Sequence, residues 1–186
     1  NTEKATTAPM SPAEVVKTAK LPPGFELAVF AAEPDVQNPI AITTDERGRL
    51  WVAENYSWAG AGAGGFDGTQ RDRIVVLEDT DGDGHADLRE VVLTGFGVDH
   101  AGEGQLNSFR WGLDNRLRVS TGLDGGEIKP ANQVDAPTQS VRNRGILFDP
   151  RTRKFELTSG GGQYGMSYDD WGRVFVCGNS EPALLL

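Results

Sequence analysis

Short alternating runs punctuated by turn residues set the rhythm of this chain. Phe25-Glu26-Leu27-Ala28-Val29-Phe30 alternates apolar and polar positions and predicts a strand. Past that point a pattern recurs. Residues 41–52 (AITTDERGRLWV), 108–119 (SFRWGLDNRLRV) and 165–176 (GMSYDDWGRVFV) each hold a small residue, an apolar residue and a four-residue turn. The turn ends in Gly48, Asn115 or Gly172 and is followed by Arg, an aliphatic residue, any residue and Val. Gly or Asn at the turn end suits a left-handed backbone position, so each copy predicts a β-hairpin.

A second hairpin is predicted inside each interval. In the first it is Ile74–Leu77 with Leu88–Leu93; in the second it is Gly145–Phe148, the turn Asp149-Pro150-Arg151-Thr152, and Lys154–Leu157. Two hairpins per repeat make four strands per repeat, the period of β-propeller blades. The expected fold is all-β, a propeller of four-stranded antiparallel blades of which about two and a half are present. The rival is a β-sandwich with chance similarity between hairpins. Residues 1–20 read as a polar leader with one short helix, its start marked by the capping box Ser11-Pro12-Ala13-Glu14. Residues 21–186 read as the N-terminal part of the propeller.

Composition narrows the function classes. Among 186 residues, 24 glycines and 10 prolines fit many short elements. A net charge of −9 argues against a nucleic-acid partner, which needs a basic face. No apolar run approaches a membrane span. One cysteine, Cys177, leaves no intrachain disulfide and no Cys-x-x-Cys motif, and its strand-like setting predicts a buried small residue.

Much of the acidity lies in one loop. Asp79, Asp81, Asp83, Gly84 and Glu90 fill the calcium-loop pattern D-x-[DN]-x-[DN]-G-x5-E. Alternate aspartates converge on one cation, the His85 carbonyl can coordinate, and Asp87 can supply the ninth-position ligand. Strand formers flank the loop on both sides, so it is expected to cap a hairpin in a structural role, as in the blade loops of integrin-like propellers, which it resembles locally. The alternative is a solvated acidic turn without metal, and the orientation of Glu90 is left open. His100, in a Gly-rich loop beside Asp99 and Glu103, is a candidate general base; a structural histidine is the alternative. The run GAGAGGFDG lacks the Gly-Lys-[Ser/Thr] of a phosphate loop and predicts a plain loop.

Three phrases carry a family resemblance: LPPGFELAVFAAEPDVQNPIAITTDERGRLWVAE, RDRIVVLEDTDGDGHAD, and LTGFG followed by HAGEGQLNSFRWGLDNRL. They resemble the Planctomycete/Verrucomicrobium-type membrane-bound dehydrogenase family, whose propeller is related to soluble glucose/sorbosone dehydrogenases that use pyrroloquinoline quinone. The resemblance implies an extracytoplasmic oxidoreductase acting on a sugar or polyol, with a c-type haem domain elsewhere in the full-length protein. It also implies His100 as the base taking the substrate hydroxyl proton, with Asp99 orienting it. The stretch from His100 to Trp111 is longer than in the sugar enzymes, and Gln163-Tyr164 stands where they carry an Arg-Asn pair. The competing expectations are a non-catalytic, calcium-stabilised propeller binding carbohydrate or protein, and a lactonase-like hydrolase with calcium in the channel.

Overall fold

The computed structural model describes residues 8–57, 70–97 and 104–186. Among these residues one helix, α1 (Pro12–Thr18), precedes thirteen strands. These are β1 (Pro39–Thr44), β2 (Leu50–Glu54), β3 (Asp72–Glu78), β4 (Leu88–Phe96), β5 (Ser108–Trp111), β6 (Leu117–Ser120) and β7 (Gly126–Pro130). They continue with β8 (Gln139–Ser140), β9 (Arg144–Asp149), β10 (Lys154–Ser159), β11 (Met166–Tyr168), β12 (Val174–Val176) and β13 (Leu184–Leu185). The expected all-β class is what forms: three antiparallel sheets, none closed, ordered β1-β2-β3-β4-β7-β8, β10-β9-β6-β5 and β11-β12-β13. No described helix is long and apolar enough to cross a membrane.

All three repeated segments fold as hairpins, β1–β2, β5–β6 and β11–β12. Their turn-end residues take positive φ: Gly48 at 79°, Asn115 at 57° and Gly172 at 77°. An aspartate locks each turn. The Asp45 carboxylate accepts the Arg47 and Arg49 backbone N–H groups, the Arg49 guanidinium and the Trp51 indole N–H. Asp169 accepts the equivalent bonds from Trp171 and Arg173. In the middle copy Gly112 occupies the aspartate's position, and Asp114, two residues on, binds Arg116 through both backbone and side chain.

Strand alternation divides the first sheet's side chains between two covers. Trp51, Ala53, Ile74 and Val76 face the second sheet and meet Phe109, Leu117, Val119, Ile146 and Phe148 in the main core. Trp51 is the wedge: its ring lies 6.2 Å from Trp111, edge to face, and 5.8 Å from Phe148. The Trp111 indole N–H donates across the sheet boundary to the Thr44 carbonyl at 2.8 Å. On the opposite face Val52, Val75 and Leu77 are covered by Phe30, Ala31 and Val36. β3 is therefore buried on both faces, which explains its unbroken Ile-Val-Val-Leu run.

Two departures from expectation have physical causes. Phe25–Phe30 pairs with no strand; Phe25 is 69% exposed, and of this run only Phe30 joins the cover over the first sheet. The segment is held instead by point contacts, the Ala86 N–H to the Phe30 carbonyl and the Arg89 guanidinium to the Asp35 carbonyl. The β7–β8 hairpin was not expected, since Ile128 is its one fully buried apolar residue; it covers the β4 edge, which would otherwise be open.

Trp51→Ala should cost about 3–5 kcal/mol of unfolding free energy, measured by denaturant titration. Val134→Ala, at a position 78% exposed, should change stability by less than about 0.5 kcal/mol. Comparable effects at the two positions would contradict the assignment of Trp51 as the inter-sheet wedge.

Candidate functional site

The acidic loop joins β3 to β4 and is closed by the Asp87 N–H donating to the Glu78 carbonyl at 3.0 Å. Gly82 and Gly84 adopt φ of 82° and 88°, which lets the backbone curl around the Asp79 carboxylate. That carboxylate accepts the N–H groups of Gly84 and Gly82 at 2.9 and 2.6 Å, and these bonds hold it below the usual carboxylate range. Asp87 accepts the Thr80 N–H and hydroxyl. Carboxylate oxygens of Asp79, Asp81 and Asp87 lie within 4.8 Å of one another.

Two other carboxylates of the pattern stand apart from that trio. Asp83 accepts the His85 N–H at 2.8 Å and is not part of the group. Glu90 is engaged elsewhere: both its oxygens take the Arg153 guanidinium at 2.9 Å, joining the first sheet to the β9–β10 turn. The trio offers only hard oxygen donors on an exposed loop, the chemistry of a calcium site completed by backbone carbonyls, further carboxylate and water. By the β2–β3 register, Leu50 lies opposite Leu77, so the loop sits at the end where the β1–β2 turn lies.

The other end of the sheets gathers the segments that follow β2, β6 and β12 and those that precede β9 and β11. Asn107 ties them together. Its amide donates to the carbonyls of Gln105, Gly162 and Gln163, and its oxygen accepts the Ser108 hydroxyl and the Gly165 N–H. The Thr121 hydroxyl sits between the carbonyls of Val141 and Arg144. Buried Asp72 accepts the N–H groups of Tyr56 and Ser57 and the Ser57 hydroxyl; burial raises its pKa, against the pull of these bonds.

A cleft of about 350 Å³ opens at this end between the second and third sheets. Asn143, Gln163, Cys177, Asn179, Ser180 and Glu181 supply its polar rim, and neither Lys nor Arg lines it. Cys177 is half-buried here with its sulfur against the Tyr164 carbonyl, more open than the core position expected for it. Asp99 and His100 lie outside the described residues, as does the run GAGAGGFDG. Gly97 and Gly104, on either side of the pair, both belong to this end: Gly97 abuts Ser57 and Asp72, and Gly104 abuts Leu123 and Asp124. Gln105 is 1% exposed; its amide donates to Asp124 and its oxygen has no partner among the described residues. Sequence reasoning did not single out Asp72, Gln105 or Asn107, because an isolated Asp, Asn or Gln carries no spacing signal; proximity to a repeated hairpin was the only available hint.

The sequence matches a family described as a domain of unknown function, DUF7133, over residues 11–87 and 69–185. No curated protein matches the chain.

Asp72 gives this end a defined pH response. Its folded pKa lies above its ordinary value near 3.8, so its contribution to stability is full below that value and is lost as pH rises through the folded pKa. Asp72→Asn should therefore gain stability relative to the parent as pH rises from the acid side. Denaturant titrations of both proteins across that range should show the gap moving in favour of Asn; a gap that stays flat or moves the other way would refute the assignment.

Proposed function

The chain belongs to the DUF7133 family, and we propose that it is a calcium-stabilised stretch of β-propeller whose loop end binds a small polar ligand. One observation carries this reading. β1, β5 and β11, the first strand of each sheet, are neighbours in space, with β5 touching both of the others. In a propeller the first strand of every blade lines the central channel, so this is the relation that successive blades require. β1–β4 and β5–β6–β9–β10 then correspond to two four-stranded blades, β11–β13 to part of a third, and β7–β8 to an addition on the outer edge of the first.

Calcium in the 79–87 loop is a structural element of this proposal. The loop lies at the end away from that cleft, where an ion stiffens a hairpin and stands clear of a ligand bound at the loop end. An extracytoplasmic location suits such an exposed site, because calcium is abundant there. In the cleft, amides, a hydroxyl and the Glu181 carboxylate, with no Lys or Arg, favour an uncharged hydrogen-bonding ligand over an anionic one.

A sugar or polyol dehydrogenase is the sharper form that the resemblance implies, and the position of Gly97 and Gly104 favours it by bringing both ends of the Asp99–His100 segment to the loop end. Pyrroloquinoline quinone, however, carries three carboxylates, and the described cleft has no cation to meet them. The cofactor does not fit that cleft. A c-type haem domain belongs to the same reading.

Two measurements test the proposal. Calcium at a hundred times its dissociation constant should stabilise the chain by about 2.7 kcal/mol over the chelated form, and Asp79→Asn or Asp87→Asn should abolish the shift, all read by calorimetry. No shift in the parent would remove calcium from the account. Incubated with calcium, pyrroloquinoline quinone and a panel of aldoses and polyols, the protein should reduce no dye. Turnover that His100→Ala cuts by about 10²–10⁴ would establish the dehydrogenase instead.

A further inference from the structure

At the turn end, a second cleft of about 350 Å³ lies between the β5–β6 and β11–β12 hairpins. It does not depend on the reading of the loop end. Leu113, Asp114, Arg118, Tyr168 and Trp171 line it. Two of these are exposed far beyond what their chemistry favours, Leu113 at 87% and Trp171 at 77%. The Arg173 guanidinium lies 5.1 Å from the centre of the Trp171 ring and is itself anchored to Asp169 at 2.6 Å, so the indole is steadied from one side and open on the other.

Arg118 stands out among the cations here. Arg116 pairs with Asp114 and Glu156, and Arg173 with Asp169. Arg118 is half-buried on β6, on the face that turns away from the main core, and makes no ion pair or hydrogen bond among the described residues. The Tyr168 hydroxyl likewise has no hydrogen-bond partner among them. Burial raises the Tyr168 pKa, with Arg118 the first charge to oppose the shift, which puts phenol and guanidinium within electrostatic reach of each other.

A half-buried cation without a partner is a cost that an anion can remove, and a guanidinium fork suits a carboxylate or sulfate. An open indole face suits the C–H face of a pyranose ring. The Asp114 oxygens, each with a lone pair beyond its bond to Arg116, can accept a ring hydroxyl. A polyanion is disfavoured by the chain's charge of −9, so one anionic group on one ring is the ligand that satisfies all three features. We propose that this cleft binds a sugar ring carrying a carboxylate or a sulfate, with Trp171 stacking on the ring and Arg118 pairing with the anion.

The test titrates the full chain with glucuronic acid, glucose 6-sulfate, glucose and inorganic sulfate, following the four indole N–H signals by NMR. Trp171→Phe assigns the relevant signal by its loss. At least one of the charged sugars should move the Trp171 signal and leave that of buried Trp51 in place, and should bind about tenfold or more tightly than glucose. Arg118→Gln should bring that sugar down to the level of glucose, and Trp171→Ala should remove sugar binding while circular dichroism and melting stay unchanged. Three results would overturn the proposal: no shift with either charged sugar, glucose binding as tightly as they do, or inorganic sulfate binding as well as glucose 6-sulfate with glucuronic acid inert.

Discussion

A carboxylate with no access to water holds the first sheet and its cover together. Glu54, at the end of β2, is fully buried, and an isolated charge there would be prohibitive. It is met by the guanidinium groups of Arg73 at 2.6 Å and Arg89 at 3.0 Å, by the Tyr56 hydroxyl, and by the Gln37 N–H at 2.9 Å. Those partners come from β3, β4, the segment after β2, and the N-terminal cover. One carboxylate thus ties together three strands and the path of the chain that seals their outer face. Arg73 also stacks on Tyr56 at 4.7 Å, so its guanidinium is held from two directions.

The two sheet ends have different chemistry because the chain uses them differently. At one end the hairpin connections are mostly tight turns locked by an aspartate, together with the short acidic loop and the longer β7–β8 connection. At the other the chain crosses between sheets, and the crossings need polar side chains such as Asn107 and Thr121 to satisfy carbonyls that no strand pairs. The contact between the first and second sheets is apolar and filled. That between the second and third is smaller: Met166, Val174 and Val176 form its apolar centre, and a cleft opens at either end. Both of these clefts therefore lie where the core is thinnest.

What was legible in the sequence was whatever local chemistry alone determines. The hairpin turns were readable because Gly48, Asn115 and Gly172 must adopt left-handed backbone and little else does so cheaply. α1 was readable because Ser11 and Glu14 cap each other within four residues. Phe25–Phe30 misled because alternation reports burial on one face and says nothing about whether a partner strand exists. Glu54 was opaque for a related reason: its partners come from positions 37, 56, 73 and 89, and only the folded sheet brings them together. In the acidic loop the spacing identified the ligand types, while the capture of Glu90 by Arg153, 63 residues away, depends on how two sheets meet.

The middle hairpin turn shows how the same lock is built from a different position. A Cβ added at Gly112 would come within 2.6 Å of the Asp114 carboxylate oxygen, because that oxygen fills the space an aspartate at 112 would use. Positions 112 and 114 are therefore coupled as a pair. The atom in the way is the tip of a side chain and not backbone, so an aspartate at 112 would displace the Asp114 carboxylate from the turn, and the lock could pass from one address to the other through a rotamer change.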